Sequence, residues 1–128
     1  MKNAVTSTGA TVVFVTAGSE EQAAMIANAL VGERLAACVN IVSPIRSIYR
    51  WNEGVQSDTE HLMIIKTRAS LLSKLEVRVK ELHSYEVPEV IALPIVAGAK
   101  SYLDWIIAST SAKPRGAGTR RRPTTGKQ

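Results

Sequence analysis

The stretch IRSIYRWNEGV, residues 45–55, decides how this chain folds. Ile45, Tyr49 and Trp51 share one set of alternate positions, which is typical of a β-strand with one covered face. The turn Asn52-Glu53-Gly54 follows, and we expect Gly54 to take the left-handed backbone conformation there. The stretch therefore predicts a β-hairpin. Each limb extends over roughly a dozen residues against about 5–6 in an ordinary strand, so the tip should project from the sheet as an arm that needs a partner.

Three elements are predicted before the hairpin turn. The β-branched and aromatic run Thr11–Thr16 indicates a buried strand. Ser19 can cap a helix, with Gln22 three residues later completing a capping box. The run Ala37–Val42 indicates the start of the next strand. We expect a bend at Pro44 in that strand, because proline cannot donate a ladder hydrogen bond.

Three further elements follow the hairpin. Ser70 can cap a helix over residues 70–83, Val90–Leu93 indicates a short strand limited by Pro94, and Ala99–Ala108 has helical spacing of apolar side chains. The order strand, helix, strand, strand, helix, strand is the split βαβ arrangement. We therefore predict an α+β, ferredoxin-like sandwich: an antiparallel sheet with helices on one face, a long hairpin arm and a C-terminal helix.

The charge of the chain is concentrated near its C-terminus. There are 16 Lys and Arg against 11 Asp and Glu, a formal net charge of +5, and six of the basic residues lie within residues 113–128. That segment has almost no apolar side chains to offset the entropy of ordering. We expect a flexible leader over residues 1–10, one domain over 11–110 and a disordered basic tail over 111–128. The tail lacks interleaved aromatic residues, so no specific nucleic-acid partner is expected.

Cysteine content and motifs narrow the functional classes. Cys38 is the single cysteine, which rules out an intramolecular disulfide and favours a reducing, cytoplasmic location. The first apolar run is far shorter than a signal or membrane segment, so no membrane association is expected. Phosphate-loop, nucleophile-elbow and zinc-protease motifs are absent from the sequence. We therefore predict that the protein is not an enzyme.

Five segments of the chain, in this order and spacing, resemble the CutA divalent-cation tolerance family. The segments are RLAACVNI (34–41), SIYRWNEG (47–54), MIIKT (63–67), YEVPEVIALPI (85–95) and YLDWI (102–106). The resemblance implies a ferredoxin-like fold, a homotrimer assembled through the hairpins, and a role in tolerance of copper or other divalent cations. It also implies structural kinship with PII signalling proteins, whose trimers bind small effectors between subunits.

The chain departs from this family where metal donors are concerned. The family commonly has His-Pro-Tyr where this chain has His83-Ser84-Tyr85. Some members also have a cysteine at the end of the first strand, or paired histidines before this segment, at the positions of Val15 and Leu82. The metal site that the resemblance implies is therefore reduced here to His83.

Cys38 and His83 are the candidate metal ligands, because a copper or zinc site needs soft or borderline donors. For Cys38 the alternative is a small buried hydrophobic residue, since alanines precede it. For His83 the alternative is a favourable interaction with the C-terminal end of a helix. Glu86 and Glu89 could hold a hard cation or serve only as hydrogen-bonding groups.

A second set of residues combines aromatic rings with a few charges, which suits a small-ligand cleft. Aromatic anchors of a trimer interface would have the same composition, so both alternatives stay open. The set comprises Tyr49, Arg50, Trp51, Glu60, Lys66, Tyr85, Glu89 and Trp105.

Three functions follow from the sequence. The first is a trimeric cytoplasmic binding or signalling protein of divalent-cation tolerance, whose contact with Cu²⁺ or another divalent cation is weak or indirect. The second is a PII-like sensor of a small anionic metabolite, suggested by Arg50, Lys66 and the aromatic residues. The third is a structural trimer that scaffolds a partner.

Overall fold

The computed structural model describes residues 8–112; most of the predicted leader and nearly all of the predicted basic tail lie outside the described residues. Four strands and three helices follow one another in the predicted order. Their bounds are β1 Ala10–Ala17, α1 Glu20–Gly32, β2 Cys38–Trp51, β3 Gly54–Arg68, α2 Leu72–Leu82, β4 Ile91–Pro94 and α3 Lys100–Ser109, with a 3-10 turn, Ala69–Leu71, before α2.

The strands form one antiparallel sheet in the order β2-β3-β1-β4. Strands β1 and β3 pair in the middle, with Val13 opposite Ile65. Strands β2 and β4 are the outer edges, and Pro94 is tolerated in β4 because an edge strand has one side without ladder hydrogen bonds. This order confirms the predicted ferredoxin-like, split βαβ arrangement.

Helices α1 and α2 cover one face of the sheet. Val13 and Ile65 on the sheet, Ile26 and Leu30 on α1 and Leu75 on α2 are fully buried in one cluster. Removal of these side chains from water supplies most of the driving force for folding. Helix α3 packs separately, with Ile106 buried against Ala10 and Ala37.

The hairpin arm is confirmed, but its turn differs from the prediction. Strands β2 and β3 contain 14 and 15 residues. Asn52 and Glu53 take positive φ angles of 51° and 65°, whereas Gly54 begins β3 opposite Trp51. The expectation that Gly54 takes the left-handed conformation was therefore wrong, because a two-residue loop places both left-handed positions before it.

The predicted bend in β2 is present as an irregularity of the ladder. The register with β3 shifts between Val42 and Ile45, and the Ser43–Pro44 peptide bond is cis. Before the bend, β2 faces β3 residues that also pair with β1, whereas beyond the bend it faces residues 54–60 of β3, which have no pairing with β1. The bend therefore separates the strand that belongs to the sheet from the strand that belongs to the arm.

The helix starts agree with the sequence in one case and not in the other. Ser19 Oγ accepts the backbone N–H of Gln22 at 3.1 Å, as predicted. Gln22 Oε1 accepts the N–H of Ser84 at 2.7 Å and so links α1 to the segment after α2. Ser70 does not cap α2: it lies inside the 3-10 turn, and α2 starts at Leu72 without a side-chain cap. An N-cap needs extended backbone, which the 3-10 turn removes.

No helix in residues 8–112 combines the length and the apolar character that crossing a membrane requires.

Candidate functional site

A cleft of about 550 Å³ opens between the hairpin arm and the segment that follows α2. Three aromatic, three acidic and four other residues line it. They are Tyr49, Trp51 and Tyr85; Glu60, Glu86 and Glu89; and Thr16, Ser47, Ile48 and Val87.

The segment after α2 is held against β1 by His83. This histidine is 8% exposed, and its Nε2 donates to the carbonyl oxygen of Thr16 at 2.7 Å. Its Nδ1 accepts the backbone N–H of Tyr85 at 3.0 Å, and the His83 and Tyr85 ring centroids are 4.6 Å apart. These partners require the neutral ring with its proton on Nε2. His83 therefore fixes the path of the chain from the end of α2 to Tyr85.

Tyr85 bridges the two walls of the cleft. Its hydroxyl donates to Oε2 of Glu60, which lies on the hairpin arm, at 2.8 Å. Gly18 makes room for the ring, because a Cβ at that position would lie 3.0 Å from the Tyr85 hydroxyl oxygen. Burial, followed by the hydrogen bond to Glu60, raises the pKa of Tyr85 to about 12. The phenol thus stays a hydrogen-bond donor throughout the physiological range.

A second tyrosine is fixed within the arm itself. Ser47 and Asp58 are paired across β2 and β3, and the Tyr49 hydroxyl donates to Asp58 Oδ2 from the diagonal position. This hydrogen bond raises the pKa of Tyr49 above its ordinary value. Asp58 and Glu60 are two residues apart on β3, so the strand alternation directs both carboxylates to one face of the arm.

The cleft is negatively charged. The described residues that line it include three glutamates and no Lys, Arg or His. Burial and the negative charge of Glu60 raise the pKa of Glu89. The four ion pairs among the described residues, such as Arg78–Glu33 at 2.9 Å, involve helix residues or helix ends, and none includes a residue that lines the cleft. The acidic charge of the cleft is therefore not neutralised by a basic side chain within residues 8–112.

The structure brings together five of the eight residues that the sequence singled out for a cleft. They are Tyr49, Trp51, Glu60, Tyr85 and Glu89.

The other three lie elsewhere. Lys66 pairs with Val12 on β1, and its Nζ contacts Asn40. Val12 lies about 13 Å along β1 from Thr16 of the cleft, at about 3.3 Å per residue. Arg50 lies near the hairpin tip opposite Val55 and does not line the cleft. Trp105 packs with Tyr102 on α3, their ring centroids 5.4 Å apart.

The structure does not bring the two candidate metal ligands together in one chain. Cys38 pairs with Lys66, on the outer strand β2, and is half-buried rather than fully buried. His83 lies beyond Thr16 at the other end of β1, and both of its ring nitrogens are hydrogen-bonded. A metal ion at His83 would have to displace one of these bonds. Within residues 8–112, no three His, Cys, Asp or Glu side chains are grouped as metal ligands.

Sequence reasoning missed two residues that position the tyrosines of the cleft, in addition to the lining residues Thr16, Ser47, Ile48 and Val87. Asp58 could have been found from its alternation with Glu60, which places both on one face of the return limb. Gly18 carries no such signal, because its role is to leave space for a ring that is distant in the chain.

Residues 11–109 match the family model described as CutA1 divalent ion tolerance protein. The "Divalent-cation tolerance protein CutA" of Thermus thermophilus is 54% identical over 99 residues, which cover 77% of this chain and 96% of that protein. "Protein CutA, chloroplastic" of Arabidopsis thaliana is also 54% identical over 99 residues, but the match spans only 54% of its length.

Solved structures agree with these matches. The structure titled "Divalent cation tolerance protein (Cut A1)" from Thermus thermophilus has a TM-score of 0.78 and 53% identity, and the match covers 80% of this chain and 99% of that one. A structure from Archaeoglobus fulgidus titled "Periplasmic divalent cation tolerance protein CutA" has a TM-score of 0.78 and 40% identity, with 80% and 99% covered. The similarity therefore extends over the whole described fold.

Proposed function

Because the chain belongs to the CutA1 divalent ion tolerance family, we propose that it serves tolerance of divalent cations, copper among them, as a binding or signalling module rather than as an enzyme. The observation that carries this proposal is the acidic and aromatic cleft beside the hairpin arm. A cavity of about 550 Å³ lies within the range of small-molecule sites. The cleft is therefore the proposed ligand site.

Contact between this protein and the divalent cation is proposed to be indirect. His83 uses both ring nitrogens to hold Thr16 and Tyr85 in place. Cys38 lies at the other end of the sheet, with only a long 3.7 Å contact from its Sγ to Asn40. Each subunit thus offers a preformed cleft for a ligand, while its two softest donors remain apart.

A homotrimer is the proposed assembly. Ile48 on the arm is 67% exposed and Val55 is 70% exposed, while Ile91 and Leu93 on β4 are 54% and 53% exposed. Apolar groups at two sheet edges with free backbone hydrogen-bonding groups favour association with further copies of the chain. Such contacts would place the cleft beside a neighbouring subunit.

A sensor of an anionic metabolite is less well supported than a sensor of a cation. Arg50 and Lys66, the residues that suggested an anion, do not line the cleft, whereas Glu60, Glu86 and Glu89 do. An anion placed there would experience like-charge repulsion. A cytoplasmic location remains a prediction from the single cysteine, and the chloroplastic and periplasmic labels are those of the relatives.

A growth assay tests the proposed function. We expect the full chain to restore Cu²⁺ tolerance to a host strain that lacks its own CutA protein. Glu60→Gln should reduce the restoration, because it removes charge from the cleft while keeping an oxygen for the Tyr85 hydrogen bond. Glu76→Gln, the same change on the outer surface of α2 where Glu76 pairs with Lys80, is the matched control. Equal growth with Glu60→Gln and Glu76→Gln contradicts a role for the cleft.

A further inference from the structure

The size of the cleft is the first indication of what it holds. A volume of about 550 Å³ is far larger than one ion needs and suits a molecule with several heavy atoms. The described residues also lack a group of three donors that would ligate a metal ion. The space and the donor arrangement therefore favour a molecular ligand over a bare cation.

The charge of the cleft indicates the sign of that ligand. Glu60 is only 9% exposed, and one of its oxygens accepts the neutral Tyr85 hydroxyl. No buried side-chain oxygen among residues 8–112 lacks a hydrogen-bond partner, so the second oxygen of Glu60 is accessible at the cleft rather than sealed in the core. Glu86 and Glu89 add negative charge to the same cleft. A buried carboxylate without an ion pair is unfavourable, and a positively charged ligand would compensate it.

The aromatic residues indicate the kind of cation. Trp51, Tyr49 and Tyr85 line the same cleft as the three glutamates. Ring faces attract alkylammonium and guanidinium groups, which combine positive charge with an apolar surface. Trp51 is 58% exposed, so its ring is available for such a contact.

We propose that this cleft binds a small organic cation, an alkylammonium or guanidinium group, between the carboxylates of Glu60, Glu86 and Glu89 and the rings of Tyr49, Trp51 and Tyr85. The proposal rests on the cleft being the ligand site of the proposed function, and it adds the chemical class of the ligand. The ammonium group replaces the missing ion pair of Glu60, while its alkyl carbons contact the aromatic rings.

Calorimetric titration of the full chain with choline tests the class of ligand. Its neutral isostere 3,3-dimethylbutan-1-ol has the same shape without the charge. We expect choline to bind at least about tenfold more tightly than the isostere, because the carboxylates and rings recognise the charge. Equal affinity for the two compounds, or no heat with choline at about 10 mM, would overturn the proposal.

Variants test the location of the site. Glu60→Gln and Trp51→Leu should each weaken choline binding about five- to tenfold or more, since one removes the charge and the other the ring. Glu76→Gln, outside the cleft, should leave choline binding unchanged. Unchanged affinity in both cleft variants places the cation elsewhere and contradicts the proposal. Binding by a chain that fails to restore Cu²⁺ tolerance would refute the proposed function and leave this inference intact.

The basic C-terminal residues are a second source of guanidinium groups, besides a free small molecule. Arg120, Arg121 and Arg122 carry guanidinium groups, and a triple change to serine within the full chain separates the two sources. Tighter choline binding by the triple variant indicates that the chain's own arginines compete for the cleft. Unchanged binding indicates a free small molecule. Weaker binding contradicts the cleft as the site, because removal of competing cations cannot reduce the affinity of an acidic cleft.

Discussion

The hydroxyl of Tyr85 donates a 2.8 Å hydrogen bond to Glu60, a residue 25 positions earlier in the chain, and so joins the segment after α2 to the hairpin arm. The bond gives the cleft two walls that are fixed relative to each other. The donor is neutral, so this bond places no positive charge in the cleft. The contact therefore joins the walls of the proposed site without adding a basic side chain to its three glutamates.

Gly18→Ala should disturb that contact. The new Cβ would lie 3.0 Å from the Tyr85 hydroxyl oxygen, so the Tyr85 side chain has to shift and its hydrogen bond to Glu60 is strained. We expect a loss of about 1–3 kcal/mol in the free energy of unfolding, the range for overpacked sites, measured by urea denaturation. Gly32→Ala is the control: nothing lies within 4 Å of its Cβ, and it ends α1. Equal stability of the Gly18 variant and the wild type would show that the ring adapts without cost.

Glu89→Gln should change the pH dependence of stability. The folded-state pKa of Glu89 is raised by burial and by Glu60. The folded state therefore binds the proton more tightly than the unfolded state, and stability falls as the pH rises from the unfolded pKa through the folded pKa. Glutamine removes this penalty, so Tm should rise at neutral pH and match the wild type well below pH 4.5, the ordinary pKa of a glutamate. The gain should stay under about 1 kcal/mol, because the side chain is more than a third exposed.

The measurement is thermal unfolding of both proteins across the acidic and neutral range. A Tm difference that is independent of pH contradicts the assignment of the titration to Glu89. Glu81→Gln is a suitable control, since this exposed α2 residue pairs with Arg78 away from the cleft.

His83→Ala should lower the free energy of unfolding, because His83 holds two backbone groups rather than a metal ion. The substitution leaves the Thr16 carbonyl oxygen and the Tyr85 N–H without their partner, at a cost of about 2–3 kcal/mol. His61→Ala loses only a 2.8 Å contact to Ser43 and should cost under about 1 kcal/mol. Chemical denaturation at one protein concentration compares the two. A His83 variant that keeps its stability but loses Cu²⁺ binding in calorimetry would identify His83 as a ligand instead.

Leu93→Lys should weaken self-association. Leu93 is 53% exposed on the outer strand β4, where a charge would have to be buried against a neighbouring copy. We expect sedimentation velocity to show at least about a tenfold rise in the dissociation constant. Val77→Lys, at a 57% exposed position on α2, should leave the oligomer intact. A wild-type chain that sediments as a monomer contradicts the proposed trimer.

The sequence predicted the elements well because their signals are local. Hydrophobic periodicity located the strands and helices, and Pro44 correctly marked the irregularity in β2. The two local errors arose where neighbouring geometry overrides residue preference. Asn52 and Glu53 take the left-handed positions because the loop has two residues, and Ser70 loses its capping position to a 3-10 turn.

The cleft could be predicted only in part. Tyr49 and Trp51 were grouped correctly because strand alternation places them on one face of the arm. Arg50, Lys66 and Trp105 do not line the cleft, because sequence spacing gives neither the distance along a strand nor the side on which an arm residue lies. Of the charged residues in the predicted set, only the acidic ones line the cleft, which disfavours the alternative of an anionic ligand.

By itself, the sequence determined the fold class and the hairpin arm, because burial patterns and chain order leave few topologies open. Only the tertiary structure decided which polar and charged side chains lie next to one another. Glu60 accepts a hydrogen bond from Tyr85 across the cleft, and both ring nitrogens of His83 are hydrogen-bonded to backbone groups. These contacts join residues that are far apart in the chain, and Coulomb and hydrogen-bond energies depend on distances in space that no local pattern encodes.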